Sequence, residues 1–406
     1  MNFRLISLLI IQILTLARSE SISGFVREKS TGEPISYANV FLINKSLGST
    51  TNQDGYFVIP NVPIGDYEIN ASMIGYSISK KNITIGSNKS VRIEFFLKEE
   101  AIETSEVVVT AERQKFERTI ESSQISLDLR EINAAPAFIE PDVFRTLQML
   151  PGVQTSSDLS SALYVRGSTP DQNLIMLDGI AIYNPFHLFG IFSTFNTDAI
   201  KEADFHAGGF PARYGGRMGA ILNVINREGN IQEVRGSADI SFISTKGLLE
   251  GPIPKFKGLK GSWMISGRRT WLDQLLNGAK IPNGNKNEDG TDQYYVFPYS
   301  FYDYQVKVNL DINPDHRLTY SRFYGDDVVN FSYSDKFINQ DGSTTITNKN
   351  KFKIDWPWGN KTNGITWRWI YSPTIVAKTF FSKSDFSKRL ARNDSQNLSV
   401  SDCSQV

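Results

Sequence analysis

The sequence predicts a mainly β chain in three successive parts: an N-terminal β-sandwich, a mixed α/β unit, and a partial antiparallel transmembrane β-barrel. Three observations predict this order. Short apolar segments separated by turn residues come first, a glycine-rich stretch with one helix follows, and long segments of alternating apolar and polar residues complete the chain. An export signal precedes the three parts.

The composition of the chain argues against several classes of function. Its 406 residues include 43 basic and 43 acidic side chains, so no excess of charge favours nucleic acid as a partner. The only cysteine is Cys403, and a single thiol can form neither an intrachain disulfide nor a thiolate metal site. With three histidines and no H-E-x-x-H motif, we expect no metal site and no cofactor. No nucleophile–base pair is evident either, so we expect that the chain is not an enzyme.

The first 19 residues have the pattern of a signal peptide. Arg4 precedes an apolar run from Leu5 to Leu16, and the small residues Ala17 and Ser19 suit cleavage after Ser19. A run of about a dozen apolar residues is too short to span a bilayer, although a membrane anchor is the alternative. No later run of about 18 apolar residues occurs. The sequence therefore predicts an exported chain without a transmembrane helix.

Residues 20–98 have the pattern of a small β-sandwich. Turn sequences such as STGEP and NQDG separate five strand candidates: SISGFVRE, YANVFLI, GYFVI, DYEINASMI and SVRIEFFLK. Asp54-Gly55 suits a tight turn, because glycine readily takes a positive φ. The order of TGEPI, ANV, QDG and GY resembles the carboxypeptidase-regulatory-like (transthyretin-like) domain. That resemblance implies a passive sandwich and no peptidase activity.

Residues 122–230 predict a mixed α/β unit. The letters EPD precede VFRTLQML, which predicts a helix that the following PG pair ends. Strand and turn pieces follow, and glycines are dense from Gly208 to Gly219. Such density indicates special backbone conformations or close backbone packing. A nucleotide-binding loop is the alternative, but no G-x-G-x-x-G or G-K-[ST] motif supports it.

Residues 231–406 change to alternation with period two. From Tyr302 in FYDYQVKVNLDI, and from Ile365 in ITWRWIY, apolar and polar residues alternate. A soluble sandwich alternates too, but strands of about ten residues with aromatics near their ends are typical of transmembrane barrels. The connections INPDHR and YSPT are tight, whereas residues 277–298 and 335–350 predict long polar loops. This asymmetry also favours an outer-membrane barrel.

The three parts in this order resemble a TonB-dependent outer-membrane receptor. MLPGVQ, LYVRGSTPDQNLIMLDG and IKEADFHAGGFPARYGGRMGAILNVINR, within residues 149–227, are similar to the plug domain of that family. The resemblance implies energy-coupled uptake of a scarce solute across the outer membrane of a Gram-negative bacterium. It places the plug and the N-terminal domain on the periplasmic side. A non-transporting surface protein, either an adhesin or a signal transducer, is the alternative.

The resemblance carries two groups of candidate site residues onto the plug. The plug motif consists of Arg166, Gly167, Asp178, Gly179, Tyr214, Gly215, Gly216 and Arg217. We expect its arginines to face barrel carboxylates, its Asp-Gly pair to form a tight turn, and its last four residues to join the final plug strands. Ordinary turn and salt-bridge roles are the alternative. The candidate ligand contacts at the outer face of the plug are Tyr183, Asn184 and His187, with iron ligation by His187 and His206 as a weaker alternative.

A short apolar strand lies between the sandwich and the plug, in the linker 99–121. It consists of Glu106, Val107, Val108, Val109, Thr110 and Ala111. Three consecutive valines are strong strand formers. The segment resembles the TonB box, which the periplasmic protein TonB binds by adding a β-strand. The alternative is that Val107–Val109 close the sandwich or begin the plug sheet.

The resemblance also implies partners and a length. TonB, outer-membrane lipid and an unknown small solute are the expected partners, and a surface-exposed lipoprotein is a further candidate. The family's barrel has 22 strands, which at about ten residues each need well over 300 residues with their connections. Residues 231–406 fall far short of this, so we expect a truncated barrel.

Overall fold

The computed structural model describes ten stretches of the chain. They are residues 20–87, 90–100, 124–137, 140–157, 160–254, 259–278, 282–286, 292–294, 299–341 and 344–402. The candidate signal peptide (1–19) and the candidate TonB box (106–111) lie outside these residues, so both stay predictions. Within the described stretches, none of the helices has the length and apolar character needed to cross a membrane.

The N-terminal part is a sandwich of two small sheets. Its strands are β1 (Ile22–Glu28), β2 (Asn39–Leu42), β3 (Gly48–Thr50), β4 (Tyr56–Ile59), β5 (Gly65–Ser72), β6 (Ser79–Ile85) and β7 (Val91–Leu97). The sheets have the orders β4-β1-β7 and β3-β2-β5-β6. Ile22, Val40, Ile69 and Phe95 are fully buried between them. All five predicted strands are present, whereas the polar strands β3 and β6 were not predicted.

Gly24 lies at the centre of the sandwich, where β1 pairs with both of its neighbours. An added Cβ at this position would lie 1.6 Å from the carbonyl oxygen of Ile93. We expect Gly24→Ala to destabilise the sandwich by about 2–3 kcal/mol, because β1 and β7 must move apart. Hydrogen exchange of the β1 and β7 amides measures this effect. Gly86→Ala is the matched control, since nothing lies within 4 Å of its Cβ position, and equal exchange in the two variants would contradict the prediction.

The middle unit is built on a mixed sheet of five strands. Its elements are β8 (Gln124–Asp128), α1 (Leu129–Ala134), α2 (Val143–Gln148), β9 (Val153–Gln154), β10 (Tyr164–Val165), β11 (Leu174–Leu177), β12 (Ile180–Ala181), β13 (Phe186–His187), β14 (Phe192–Ser193), β15 (Ile200–His206) and β16 (Ile221–Asn226). The main sheet has the order β12-β11-β16-β15-β8. Helix α2 confirms the predicted helix, and the Asp142 side chain caps it by accepting from the backbone N–H of Phe144 at 2.8 Å.

The third part is one large antiparallel sheet. Its elements are β17 (Arg235–Ile240), β18 (Ser244–Pro252), β19 (Lys260–Thr270), α3 (Leu272–Gly278), β20 (Pro282–Lys286), β21 (Asp292–Tyr294), β22 (Tyr299–Asp311), β23 (His316–Asp341), β24 (Thr344–Ser372), β25 (Ile375–Lys388) and β26 (Ala391–Asp402). The order is β17-β18-β19-β22-β23-β24-β25, with β26 paired to the first half of β24. Strands β20 and β21 form a separate pair.

The connections of the large sheet confirm one prediction and correct another. The tight turns are present, between Asp311 and His316 and between Ser372 and Ile375. The loop predicted at 335–350 is wrong, because β23 and β24 continue through it as a paired hairpin in which Asp335 lies opposite Asn350. In this region the backbone N–H and C=O groups of each strand pair with those of the other strand.

The polar face of the large sheet is the buried one. On β22 the buried face begins with Tyr299 and Phe301 and continues with the polar side chains of Asp303, Gln305, Lys307 and Asn309. The intervening, more exposed side chains are Tyr302, Tyr304, Val306, Val308 and Leu310. A water-soluble sheet normally buries its apolar face instead. The middle unit covers the polar face, so that unit must supply partners for these groups.

Candidate functional site

The candidate site is the polar interface between the middle unit and the large sheet. At its centre lies His187 on β13, which is 0% exposed. Its Nδ1 lies 2.7 Å from an oxygen of Asp327 and its Nε2 lies 2.8 Å from an oxygen of Asp303. The imidazole also stacks on the ring of Phe301 at 4.2 Å between centroids. A side chain of the middle unit is thus held by two strands of the sheet, β22 and β23.

Further groups complete this network. Arg268 on β19 donates from Nε and Nη2 to Asp303, at 2.9 and 2.8 Å, and from Nη2 to the carbonyl oxygen of Ser193 at 2.7 Å. Asp327 accepts from the Tyr299 hydroxyl and, at 3.3 Å, from the backbone N–H of Leu188. Each buried carboxylate therefore has several donors, as burial of charge requires.

The charge of His187 follows from its surroundings. Burial by itself would lower the pKa of the imidazole, but the carboxylates of Asp303 and Asp327 outweigh burial and raise that pKa to about 9. Both ring nitrogens face carboxylate oxygens, which requires an N–H on each. His187 is therefore a cation at neutral pH, and with Arg268 it balances the two aspartates.

This geometry corrects the prediction for His187 as a ligand contact. The side chain is fully buried and both of its nitrogens are engaged with the sheet. The two other candidates are accessible or near the surface: Tyr183 is 70% exposed, and the Asn184 carbonyl oxygen accepts from Nδ2 of Asn360 at 2.7 Å. His206, also considered as an iron ligand, is 1% exposed and lies apart from His187 on β15. The described residues contain no cluster of histidine, cysteine and carboxylate side chains suited to a metal.

The predicted tight turn at Asp178-Gly179 is present and has a second role. The φ angles are 51° and 78°, and the pair joins β11 to β12 as a two-residue hairpin turn. One oxygen of Asp178 accepts from Lys307 Nζ at 2.8 Å, and that ammonium also donates to the Asn226 carbonyl oxygen at 2.9 Å. The turn therefore fastens the middle unit to β22 through a mostly buried ion pair. The only sequence signal for Lys307 is its place on the polar side of an alternating strand.

The remaining motif residues lie at the surface of the middle unit. Arg166 and Gly167 both have positive φ angles, 49° and 85°, and the Arg166 N–H donates to the Gly152 carbonyl oxygen at 2.8 Å. The segment containing Tyr214, Gly215, Gly216 and Arg217 joins β15 to β16, as predicted. Arg217 is exposed and donates to the Gly216 carbonyl oxygen. In the described part of the chain no carboxylate forms an ion pair with Arg217, so the predicted contact with barrel acids is not present.

A third junction connects all three parts of the chain. Glu228, just after β16, accepts from Nη2 of Arg317 on β23 at 2.6 Å. Its backbone N–H donates to the Glu33 carboxylate of the sandwich at 2.7 Å. Burial tends to raise the pKa of Glu228, but Arg317 and nearby lysines outweigh it and lower the pKa to about 2. Glu228 is therefore ionised throughout the physiological pH range.

Comparison with known proteins identifies these units. The family model described as the TonB-dependent receptor plug domain matches residues 122–221, which is the middle unit at the centre of this interface. Residues 122–221 are therefore a TonB-dependent receptor plug domain, as the sequence resemblance predicts. The model for the CarboxypepD_reg-like domain matches residues 22–109, which confirms the resemblance of the sandwich. Proteins of this receptor family are not enzymes, which confirms that expectation.

The chain is also similar to three individual proteins. The TonB-dependent transporter Oar of Myxococcus xanthus is 24% identical over 247 residues, which are 58% of this chain and 22% of Oar. The chain thus spans about a fifth of the length of that curated relative. Two solved structures share slight likeness over 68% of the chain: a mutant of the ferric enterobactin receptor PfeA from Pseudomonas aeruginosa (12% identity, 50% of that chain, TM-score 0.38) and the outer membrane transporter YddB from Escherichia coli (10% identity, 53% of that chain, TM-score 0.38).

The receptor family implies a location. TonB-dependent transporters lie in the outer membrane of Gram-negative bacteria, which agrees with the predicted export and barrel pattern. The large sheet has the matching surface: Trp367 and Trp369 stack in parallel on its outward face, beside His316 at a tight turn. Aromatic girdles of this kind flank the apolar band of outer-membrane barrels.

Proposed function

We propose that this receptor takes up a scarce small solute across the outer membrane, using energy that TonB delivers at residues 106–111. The plug and the sandwich face the periplasm in this proposal, and outer-membrane lipid surrounds the sheet. Tyr183 and Asn184 are the candidate contacts for the solute, because they lie at the accessible edge of the plug beside β24.

The polar interface between the plug and the large sheet is the observation that carries this proposal. Beside an apolar cluster that includes Phe192 and Phe301, the plug is attached by ion pairs and hydrogen bonds such as His187 with Asp303 and Asp178 with Lys307. Water can replace contacts of this kind when a plug moves, whereas an apolar interface would expose its surface to water at a large cost in free energy. A plug that must shift during transport and return afterwards is suited to such an interface. A permanently closed surface protein has no need of it.

The candidate TonB box is tested by removing one backbone hydrogen bond. We expect Val108→Pro to weaken binding of the purified chain to the C-terminal domain of TonB by at least about tenfold, because proline has no N–H to donate to an added strand. Pull-down followed by titration measures this binding. Val108→Thr is the matched control, since threonine keeps both the N–H and the branched Cβ.

The same variant distinguishes the alternative use of this strand. The CarboxypepD_reg-like family model extends to residue 109 and so overlaps the candidate box. If Val107–Val109 close the sandwich instead, Val108→Pro will leave TonB binding unchanged and increase hydrogen exchange in β1 or β7. These two results together would rule out residues 106–111 as the TonB box.

A further inference from the structure

The sandwich packs against both the plug and the large sheet. On the plug, Glu202 and Asp204 of β15 accept hydrogen bonds from sandwich hydroxyl groups at 3.0 and 3.3 Å. On the sheet, the Tyr56 hydroxyl donates to the Pro373 carbonyl oxygen, in the tight turn between β24 and β25, at 2.8 Å. The sandwich therefore covers the large sheet beside this turn.

Three basic side chains form a row across the sheet next to this contact. Arg368 on β24 lies directly opposite Arg317 on β23 and directly opposite Lys378 on β25. Residues that face each other across antiparallel strands lie on the same side of the sheet, with Cβ atoms about 5 Å apart. Like charges in such positions repel each other and destabilise the sheet. The row therefore requires negative charge nearby.

The two outer members of the row have carboxylate partners. Arg317 pairs with Glu228 of the plug at 2.6 Å. Lys378 lies 3.5 Å from an oxygen of Asp54 in the sandwich. Within the described stretches, no carboxylate forms an ion pair with Arg368. Among the charged groups around it, Arg317 acts on Arg368 most strongly, and that interaction is repulsive.

Arg368 is nevertheless buried. The residue is 5% exposed, and its Nε and Nη1 atoms are enclosed without a hydrogen-bond acceptor among the described residues. Nη1 of Arg317 is enclosed without an acceptor in the same way. Native proteins rarely bury a charged donor without a partner, because its interactions with water are lost and not replaced. Two neighbouring guanidinium groups thus have donors that no described side chain satisfies.

An aromatic ring compensates only part of this charge. The guanidinium carbon of Arg368 lies 4.8 Å from the centre of the Phe25 ring in the sandwich. Arg27 lies over the same ring at 5.1 Å. A cation over an aromatic face is attracted to it, but the ring carries no net charge and accepts no conventional hydrogen bond. The ring therefore brings a further cation close to Arg368 without neutralising either of them.

The row is open to solvent at one end. The Lys378 side chain is 51% exposed, whereas the Arg317 side chain at the other end is 5% exposed. A small anion can therefore approach along Lys378 and reach Arg368 behind it. The positive charge of Lys378 favours that approach.

We propose that Arg368 binds a phosphate-type oxyanion where the sandwich covers the large sheet. Guanidinium N–H groups bind phosphate oxygens through strong, charge-assisted hydrogen bonds. Arg368 and Nη1 of Arg317 supply the buried donors, and Lys378 supplies a charge on the solvent side. The oxyanion is either free phosphate or the headgroup of a phospholipid, since both present the same oxygen atoms.

Titration of the purified, detergent-solubilised chain with inorganic phosphate tests this site. We expect calorimetry to show binding and urea unfolding to show a higher midpoint, with sodium chloride at equal ionic strength as the reference. Arg368→Met should weaken phosphate binding at least about tenfold, because it removes charge-assisted hydrogen bonds. Arg389→Met is the matched control. Arg389 lies on the same sheet, 3.7 Å from Asp355, with a side chain that is 72% exposed, so its variant should bind phosphate as the wild type does.

The unfolding midpoint without phosphate separates binding from a purely structural role. Here Arg368→Met should unfold at the same urea concentration as the wild type or at a higher one, because it removes a buried cation that has no anion. A lower midpoint for Arg368→Met, with no response of the wild type to any phosphate, would mean that the protein itself neutralises Arg368. That result would overturn the proposal, as would an equal response of the two chains to phosphate.

Two arms of the titration distinguish the sources of the oxyanion. One arm adds inorganic phosphate to lipid-free micelles, and the other uses mixed micelles that contain phosphatidic acid at the same phosphate concentration. A higher midpoint with inorganic phosphate alone identifies a free oxyanion. A higher midpoint with the lipid, reversed when inorganic phosphate competes, identifies a headgroup. No change in either arm rejects the site. Because TonB takes no part in the titration, this result is independent of the proposed transport.

Discussion

Replacing Asp303 by asparagine is expected to destabilise the attachment of the plug to the large sheet by about 3–5 kcal/mol. The substitution keeps the shape of the side chain but removes the charge shared by His187 and Arg268. Both cations then stay buried: His187 keeps its contact with Asp327, and the remaining carboxylates that act on Arg268 are Glu140 and Asp142. Denaturant unfolding of the detergent-solubilised chain, followed by tryptophan fluorescence, measures the loss, since Trp358 is buried beside Tyr299 in this region.

The control for Asp303 is an aspartate in an exposed ion pair of the same sheet. Asp385 pairs with Lys383 at 3.0 Å, and its side chain is 50% exposed. Asp385→Asn should change the free energy of unfolding by less than about 1 kcal/mol, because solvent screens such pairs. If Asp303→Asn lowers the free energy of unfolding as little as Asp385→Asn does, the hydrogen-bond network around His187 does not attach the plug.

The stability of this attachment should fall as the pH rises above neutrality. The pKa of His187 is raised from 6.5 to about 9 by Asp303 and Asp327. A raised pKa means that the folded state holds the proton more tightly than the unfolded state does. The stabilisation that protonated His187 gives the folded state is therefore complete below about pH 6.5 and is lost as the pH passes through about 9. A pKa shift of this size corresponds to about 3 kcal/mol of unfolding free energy. Free energies of unfolding measured from pH 6 to pH 10 test this pH dependence.

His187→Gln is the variant that isolates the pH effect. Glutamine can still form hydrogen bonds but does not titrate, so its unfolding free energy should vary little between pH 6.5 and 9. Glu228 does not interfere, because its pKa of about 2 confines its effect to acid: its stabilisation is complete above about pH 4.5 and is lost towards pH 2. If the free energy of unfolding falls equally steeply with pH in the wild type and in His187→Gln, a group other than His187 is responsible for the fall.

Local sequence signals were sufficient wherever the structure depends on neighbouring residues. Asp142 before an apolar run predicts helix α2, and Asp178-Gly179 predicts a hairpin turn, because caps and turns are decided by a few adjacent residues. Period-two alternation predicts β22 for the same reason. The loop predicted at 335–350 failed because polar residues can extend a hairpin when each strand supplies the other's hydrogen bonds.

The role of His187 could not be predicted in this way. Its partners Asp303 and Asp327 are 116 and 140 residues away in the chain. An isolated histidine in the letters YNPFH is equally compatible with an exposed ligand contact and a buried cation. Only the packing of β13 against β22 and β23 decides between them.

Sequence patterns alone predict the order of the three parts, the family resemblance and the two faces of each alternating strand. The tertiary structure decided which face is buried, and it is the polar one, against the plug. It also decided that Glu202 and Asp204 receive the sandwich and that Asp178 meets Lys307. The physical reason is that alternation in the sequence shows only that the two faces of a strand differ in polarity. Burial, pKa and ion pairing depend on what the fold places opposite each face, and those partners come from distant parts of the chain.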